Sequence, residues 1–213
     1  MPAPRLVAAA PAALLGLVCA LTACTAGNQG PSPEPTTAGT PLTAYDVGGV
    51  VLERAGFCDR IAAPGVVAAL DGSAAEARTW SNGDAARLSD SVKDVAHEFG
   101  CRYTRDGAAA QAWLFAPPVT PDRAAELARE ARTAEGCAEA TDSPAFGRPS
   151  VAVVCEEPDG ALTAAHRGLF GDSWLACEVT RSDPPLREDL LDAAGRWCVS
   201  VLEAARAGSG RAG

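Results

Sequence analysis

Apolar and polar positions divide the chain into three regimes. From Leu6 to Ala20 the residues are almost continuously apolar. From Thr25 to about Thr43 the sequence TAGNQGPSPEPTTAGTPLT has no apolar period. Beyond Tyr45 apolar residues recur with a period of two in some segments and of about 3.6 in others, the marks of strands and helices in a folded domain.

Within that domain the pattern predicts the following elements. Tyr45 to Leu70 reads as helical in two pieces, the first weakened by Gly48-Gly49 and the second opened by Pro64. Asp71 to about Asp90 is polar and turn-rich and reads as a long loop. Val95 to Thr104 alternates, placing Val95, His97, Phe99, Cys101 and Tyr103 on one face of a single strand. Asp106-Gly107 is a hairpin turn, and the next strand, Ala108 to Ala116, ends at Pro117-Pro118. Thr120-Pro121 caps and opens a helix whose apolar stripe runs through Ala124, Leu127, Ala128, Ala131 and Ala134, with Gly136 as its stop. Strands follow over Ser150–Glu156, Leu162–Phe170 and Trp174–Thr180, joined by turns at Pro158-Asp159-Gly160 and Gly171-Asp172. Asp183-Pro184 opens a final amphipathic helix to about Arg206, followed by a short tail at residues 207–213. The fold class is α+β: an antiparallel sheet of about five strands with helices packed on it, in the order α-β-β-α-β-β-β-α.

The first apolar run is too short and too interrupted, by Pro11, for a membrane span of about 20 residues. It follows a start carrying one cation, Arg5, and leads into Leu21-Thr22-Ala23-Cys24. That is the layout of a secretory signal peptide, residues 1–23, ending in a lipobox. Leu precedes two small residues that fit a signal peptidase, and the Cys24 thiol receives the lipid. A diacylglyceryl group brings two acyl chains, enough for stable anchoring where one chain is marginal. Residues 24–44 then form a lipidated, flexible tether to a single domain spanning residues 45–206.

Charge narrows the partners. The formal net charge of −9 becomes −10 once Arg5 leaves with the signal peptide. An acidic domain lacks the clustered cations that hold phosphates, which excludes nucleic acid as a natural partner. It also gains nothing from anionic headgroups, so membrane association falls to the lipid on Cys24.

Of the eight cysteines, Cys19 leaves with the signal peptide and Cys24 is lipidated. Cys58, Cys101, Cys137, Cys155, Cys177 and Cys198 remain, an even number in an exported domain, and read as three disulfides. Their long spacings, without Cys-x-x-Cys, argue against zinc. The strand periods put Cys101, Cys155 and Cys177 toward the apolar layer, whereas Cys58, Cys137 and Cys198 fall in helices or at helix ends. If each bridge ties sheet to helix, the fifteen pairings open to six cysteines fall to six. Closeness in sequence favours Cys58–Cys101, Cys137–Cys155 and Cys177–Cys198.

No catalytic constellation is legible. His97 and His166 are the only histidines, and both fall among apolar neighbours, as a packed histidine with one hydrogen bond does. Gly171-Asp172-Ser173-Trp174-Leu175 lacks the second glycine of a nucleophile elbow. Glu156-Glu157 are adjacent in a strand, so they point to opposite faces. No phosphate loop or calcium loop is present, and no cofactor is expected. Trp113 and Trp174 have two readings: packing against a helix, or stacking on a sugar ring from an open face.

The lipobox, the tether, a domain starting near Cys58-Asp59-Arg60-Ile61 and the strand Cys101-Arg102-Tyr103-Thr104 together resemble secreted lipoprotein families of actinobacteria that carry no assigned activity. The resemblance implies a lipid-anchored domain on the outer face of the cell membrane and carries no catalytic residue. The expected function is non-catalytic binding of a protein or glycan partner at the envelope. The alternatives are a small-ligand or lipid carrier, with Tyr103, His97 and His166 walling a pocket between sheet and helices, and, less favoured, a cell-wall-acting enzyme.

Overall fold

The computed structural model describes residues 39–87, 93–183 and 185–208. The signal segment, Cys24, most of the tether, Pro184 and residues 209–213 lie outside the described residues. Among the described residues no helix is long and apolar enough to cross a membrane.

The elements in chain order are α1 (Ala63–Leu70), β1 (Glu76–Trp80), β2 (Ala85–Arg87), β3 (Lys93–Val95), β4 (Glu98–Arg105), β5 (Ala108–Phe115), α2 (Pro121–Thr133), β6 (Cys137–Glu139), β7 (Ser150–Glu156), β8 (Leu162–Phe170), β9 (Ser173–Arg181) and α3 (Arg187–Ala205). Seven strands form one antiparallel sheet in the order β1-β4-β5-β9-β8-β7-β6, and β2 pairs with β3 in a separate ribbon. The fold is α+β, as expected, but the sheet is larger and its order more elaborate.

Alternation along the strands gives the sheet two unlike faces. One face carries Cys101, Leu114, Leu175, Cys177, Val179 and Val154, and packs against α1 and α3 in the larger core. α3 supplies Leu190, Ala194, Trp197, Cys198, Val201, Leu202 and Ala205, all buried and at helical spacing. Trp197 reaches across to donate its indole N–H to the Gln111 carbonyl at 2.9 Å. On the other face α2 packs over β6, β7 and β8 and reaches Trp174 at the start of β9. That smaller core holds Ala124, Ala128 and Ala131 against Val151, Val153, Leu169 and Trp174. Thr120 caps α2 by accepting the Arg123 N–H at 3.2 Å.

The three disulfides are Cys58–Cys101, Cys137–Cys155 and Cys177–Cys198, with Cα separations of 5.9, 3.9 and 5.6 Å. The pairing favoured by closeness is therefore present, but one of its premises fails. Cys137 lies in β6, directly opposite Cys155 in the register with β7, so this bridge joins two strands rather than sheet to helix. Cys155 also faces the α2 side, not the layer shared by Cys101 and Cys177.

Other expectations are corrected as well. The first of the two helical pieces is absent. A 3₁₀ turn at Leu42–Ala44 leads into an extended strap whose Leu42, Val50, Leu52 and Phe57 are buried under the helices. Gly49, at φ 77°, favours a turn over a continuing helix. The loop expected from Asp71 contains β1 and β2, and β6 was not expected. The strand expected from Val95 is broken at Ala96-His97 into β3 and β4. α3 starts at Arg187, with Leu186 at its N-cap, rather than at Asp183-Pro184.

Candidate functional site

Because α2 covers only one half of its face, the other half, built from β1, β4, β5 and most of β9 with part of β8, has no helix over it among the described residues. The strand registers order its side chains in three rows. Trp80, Gly100, Trp113, Ala176 and Arg167 lie in line across five strands. The next row is Arg78, Arg102, Gln111 and Glu178, and the third is Glu76, Thr104, Ala109, Thr180 and Thr163.

The aromatic row owes its shape to small residues. A Cβ added at Gly100 would fall inside the Trp80 ring, so the indole lies flat across β4. Trp80 Nε1 donates to Glu98 Oε1 at 3.0 Å, which fixes the ring in its plane. Burial pushes the Glu98 carboxyl above the usual range, and the indole N–H draws it partly back. On the far side, Ala176 leaves room for the Arg167 guanidinium to sit 5.7 Å from the centre of the Trp113 ring. Trp80 and Trp113 are both half-buried. Across two strand spacings they are about 10 Å apart at the backbone.

The polar rows continue this surface. Arg102 donates to Gln111 Oε1 at 3.0 Å. Burial raises the Glu178 carboxyl; Arg167 and Arg102 oppose the rise and Glu157 adds to it. Thr163 and Thr180 hydroxyls meet at 2.9 Å, and Thr163 donates to Glu157 at 2.8 Å. The β7–β8 turn at Glu157, Pro158 and Asp159 walls this end into a depression of about 690 Å³.

The histidines do not converge. His97 is exposed between β3 and β4, contrary to a packed position, and its carbonyl accepts the Ala116 N–H at 2.9 Å. His166 is 1% exposed on the helix side of β8. Its Nε2 lies 3.4 Å from the Leu191 carbonyl and its Nδ1 has no partner. Burial lowers its pKa to about 4, against the pull of the Leu191 carbonyl, so the ring is neutral at pH 7. His166 lines a groove of about 480 Å³ beside α3, rimmed by Asp142, Glu188 and Asp192. Tyr103 is elsewhere, in the larger core, donating to the Cys58 carbonyl at 3.1 Å and meeting Trp197 edge-on at 5.9 Å. The pocket expected to gather Tyr103, His97 and His166 is thus not formed by these three residues.

Trp174 is 2% exposed beneath α2, which leaves Trp113 as the candidate on the open face. Trp80, placed in a loop by its polar surroundings, was missed. Only its pairing with Gly100 across β1 and β4 reveals it. Every cysteine among the described residues is in a disulfide, and no group of three or more His, Cys, Asp or Glu there is arranged to hold a metal. The arrangement places the Trp80 and Trp113 indoles beside the planar side chains of Arg102, Arg167 and Gln111. No protein-family model matches the chain, and neither does any curated protein or solved structure.

Proposed function

We propose that the chain is a lipid-anchored, non-catalytic binding protein on the outer face of the cell membrane, and that the open half of its sheet is the contact surface. The observation that carries this reading is the Trp80–Gly100–Trp113 row, two half-buried indoles on the half of the face that α2 leaves uncovered among the described residues. Direction supports it too. The chain enters the domain at Gly39 and packs on α3, against the opposite face of the sheet. The contact surface is then on the opposite side of the sheet from Gly39 and Leu42.

Two experiments test the parts separately. A fatty-acid probe should label the wild type and not Cys24→Ala; equal labelling would refute the anchor. A photo-crosslinking residue at Gln111 should capture an envelope component in cells, and one at Glu130 on the outer side of α2 should not. Equal capture from both positions, or none from Gln111, would remove the contact surface.

One observation favours a second reading, a small-ligand carrier. The unpartnered Nδ1 of His166 accompanies a groove between α3 and the segment following β6. A cell-wall-acting enzyme has no such support among the described residues.

A further inference from the structure

We infer that the open sheet face binds a glycan, specifically a chain of flat hexopyranose rings with equatorial substituents. This rests on the reading of that face as the contact surface.

The flat side of such a sugar presents axial C–H groups, and its rim presents hydroxyls that both donate and accept. The face offers a match for each. Trp80 lies flat on the sheet, held from below by the absence of a side chain at Gly100 and from its edge by Glu98. A rigid ring needs little ordering when a ligand stacks on it, which conserves affinity. Trp113 is backed by Arg167, so the two rings form one row.

Beside the rings stand side chains that are themselves flat. The Arg102–Gln111 pair supplies paired donors and an amide, and Glu178 supplies an acceptor held in place between arginines. Farther along are the Thr163 and Thr180 hydroxyls and the walled depression. From the aromatic row to the threonine row is about 13 Å along the strands. That length suits an oligosaccharide rather than one ring. Arg78, Arg102 and Arg167 share this face with Glu76, Glu98 and Glu178, so it carries both signs of charge and is not built to select a strongly charged polymer.

The test uses the full-length protein in detergent and soluble chito-oligosaccharides and cello-oligosaccharides as probes. Trp174 and Trp197 are buried, so acrylamide quenching reports chiefly on Trp80 and Trp113. The expected result is protection from quenching by one of the probes, with affinity falling about tenfold in Trp80→Ala and in Trp113→Ala. Gly100→Ala is the sharper variant. It leaves both indoles in the chain but displaces Trp80, and its Cβ also presses on the Ala112 carbonyl at 2.9 Å, so it should weaken binding at least as much as Trp80→Ala. Circular dichroism of each variant confirms that the fold is retained, and Trp80→Phe, which keeps a flat ring, should recover most of the affinity if Trp80→Ala does not fold.

Binding of equal strength in all folded variants would overturn the inference. So would an absence of protection by either probe while the Gln111 crosslink captures a protein; that outcome leaves the contact surface standing. An absence of both protection and capture would overturn the surface and the glycan together.

Discussion

His166 is the residue with the clearest physical signature. Its pKa is about 4 in the fold and near 6.5 when the chain is unfolded. Above pH 6.5 both states are neutral and nothing is lost. Between pH 6.5 and 4 the unfolded chain takes up a proton that the buried ring refuses, so stability falls as the pH falls through this window. The full effect is about 3 kcal/mol. His166→Gln, which stays neutral, should flatten the decline of Tm over that window, and an unchanged slope would show that other groups dominate it. Burial of this histidine was legible from its apolar neighbours Leu162 and Phe170. The exposure of His97 was not, because the alternation from Val95 to Tyr103 gave no hint that the chain breaks at Ala96. Trp80 and Trp113 make the same point. An indole's value depends on whether a helix covers it, and coverage is a long-range property.

Elements were legible in proportion to their periodicity. The hairpins β4–β5, β7–β8 and β8–β9 and the helix α2 stand close to where alternation, Asp-Gly turns and the Thr120 cap put them. β1 and β6 were missed for a shared reason. Both are short edge strands. The residues of β1 are mostly exposed, so no face of it is marked as apolar. The cysteine pairing survived a mistaken premise because the true ties, like the assumed ones, are mostly between neighbours in sequence. The loops closed by the bridges differ, with separations of 43, 18 and 21 residues for Cys58–Cys101, Cys137–Cys155 and Cys177–Cys198. In the chain-entropy account this makes the first worth about 4 kcal/mol and the others about 3 each. Replacing Cys58 and Cys101 together by Ala should therefore lower the denaturant midpoint most, and replacing Cys137 and Cys155 least, because Cys101, Cys177 and Cys198 are also fully buried. A greater loss from the Cys137–Cys155 pair would contradict this order. Non-reducing peptide mapping should recover the same three links.

At the scale of the whole molecule, the class of fold and its disulfide framework were legible, while the division of the sheet into a covered and an open half was not. The sequence shows apolar stripes on its helices, but not that α2 and the pair α1 and α3 lie on opposite sides. The strap adds a mechanical consequence. Gly39 is held by Arg196, and Leu52 bridges Arg206 while Val51 and Glu53 pair with Ala207 and Ala205 at the end of α3. Tension arriving from the N-terminal side would peel this strap away bond by bond until it reached Cys58. There the load passes through sulfur into Cys101 on β4, next to the edge strand β1. The stretch between the two cysteines, which includes β1 and Trp80, drops out of the load path. A pull on the strap would then reach β4 at Cys101, beside Gly100, without passing along β1.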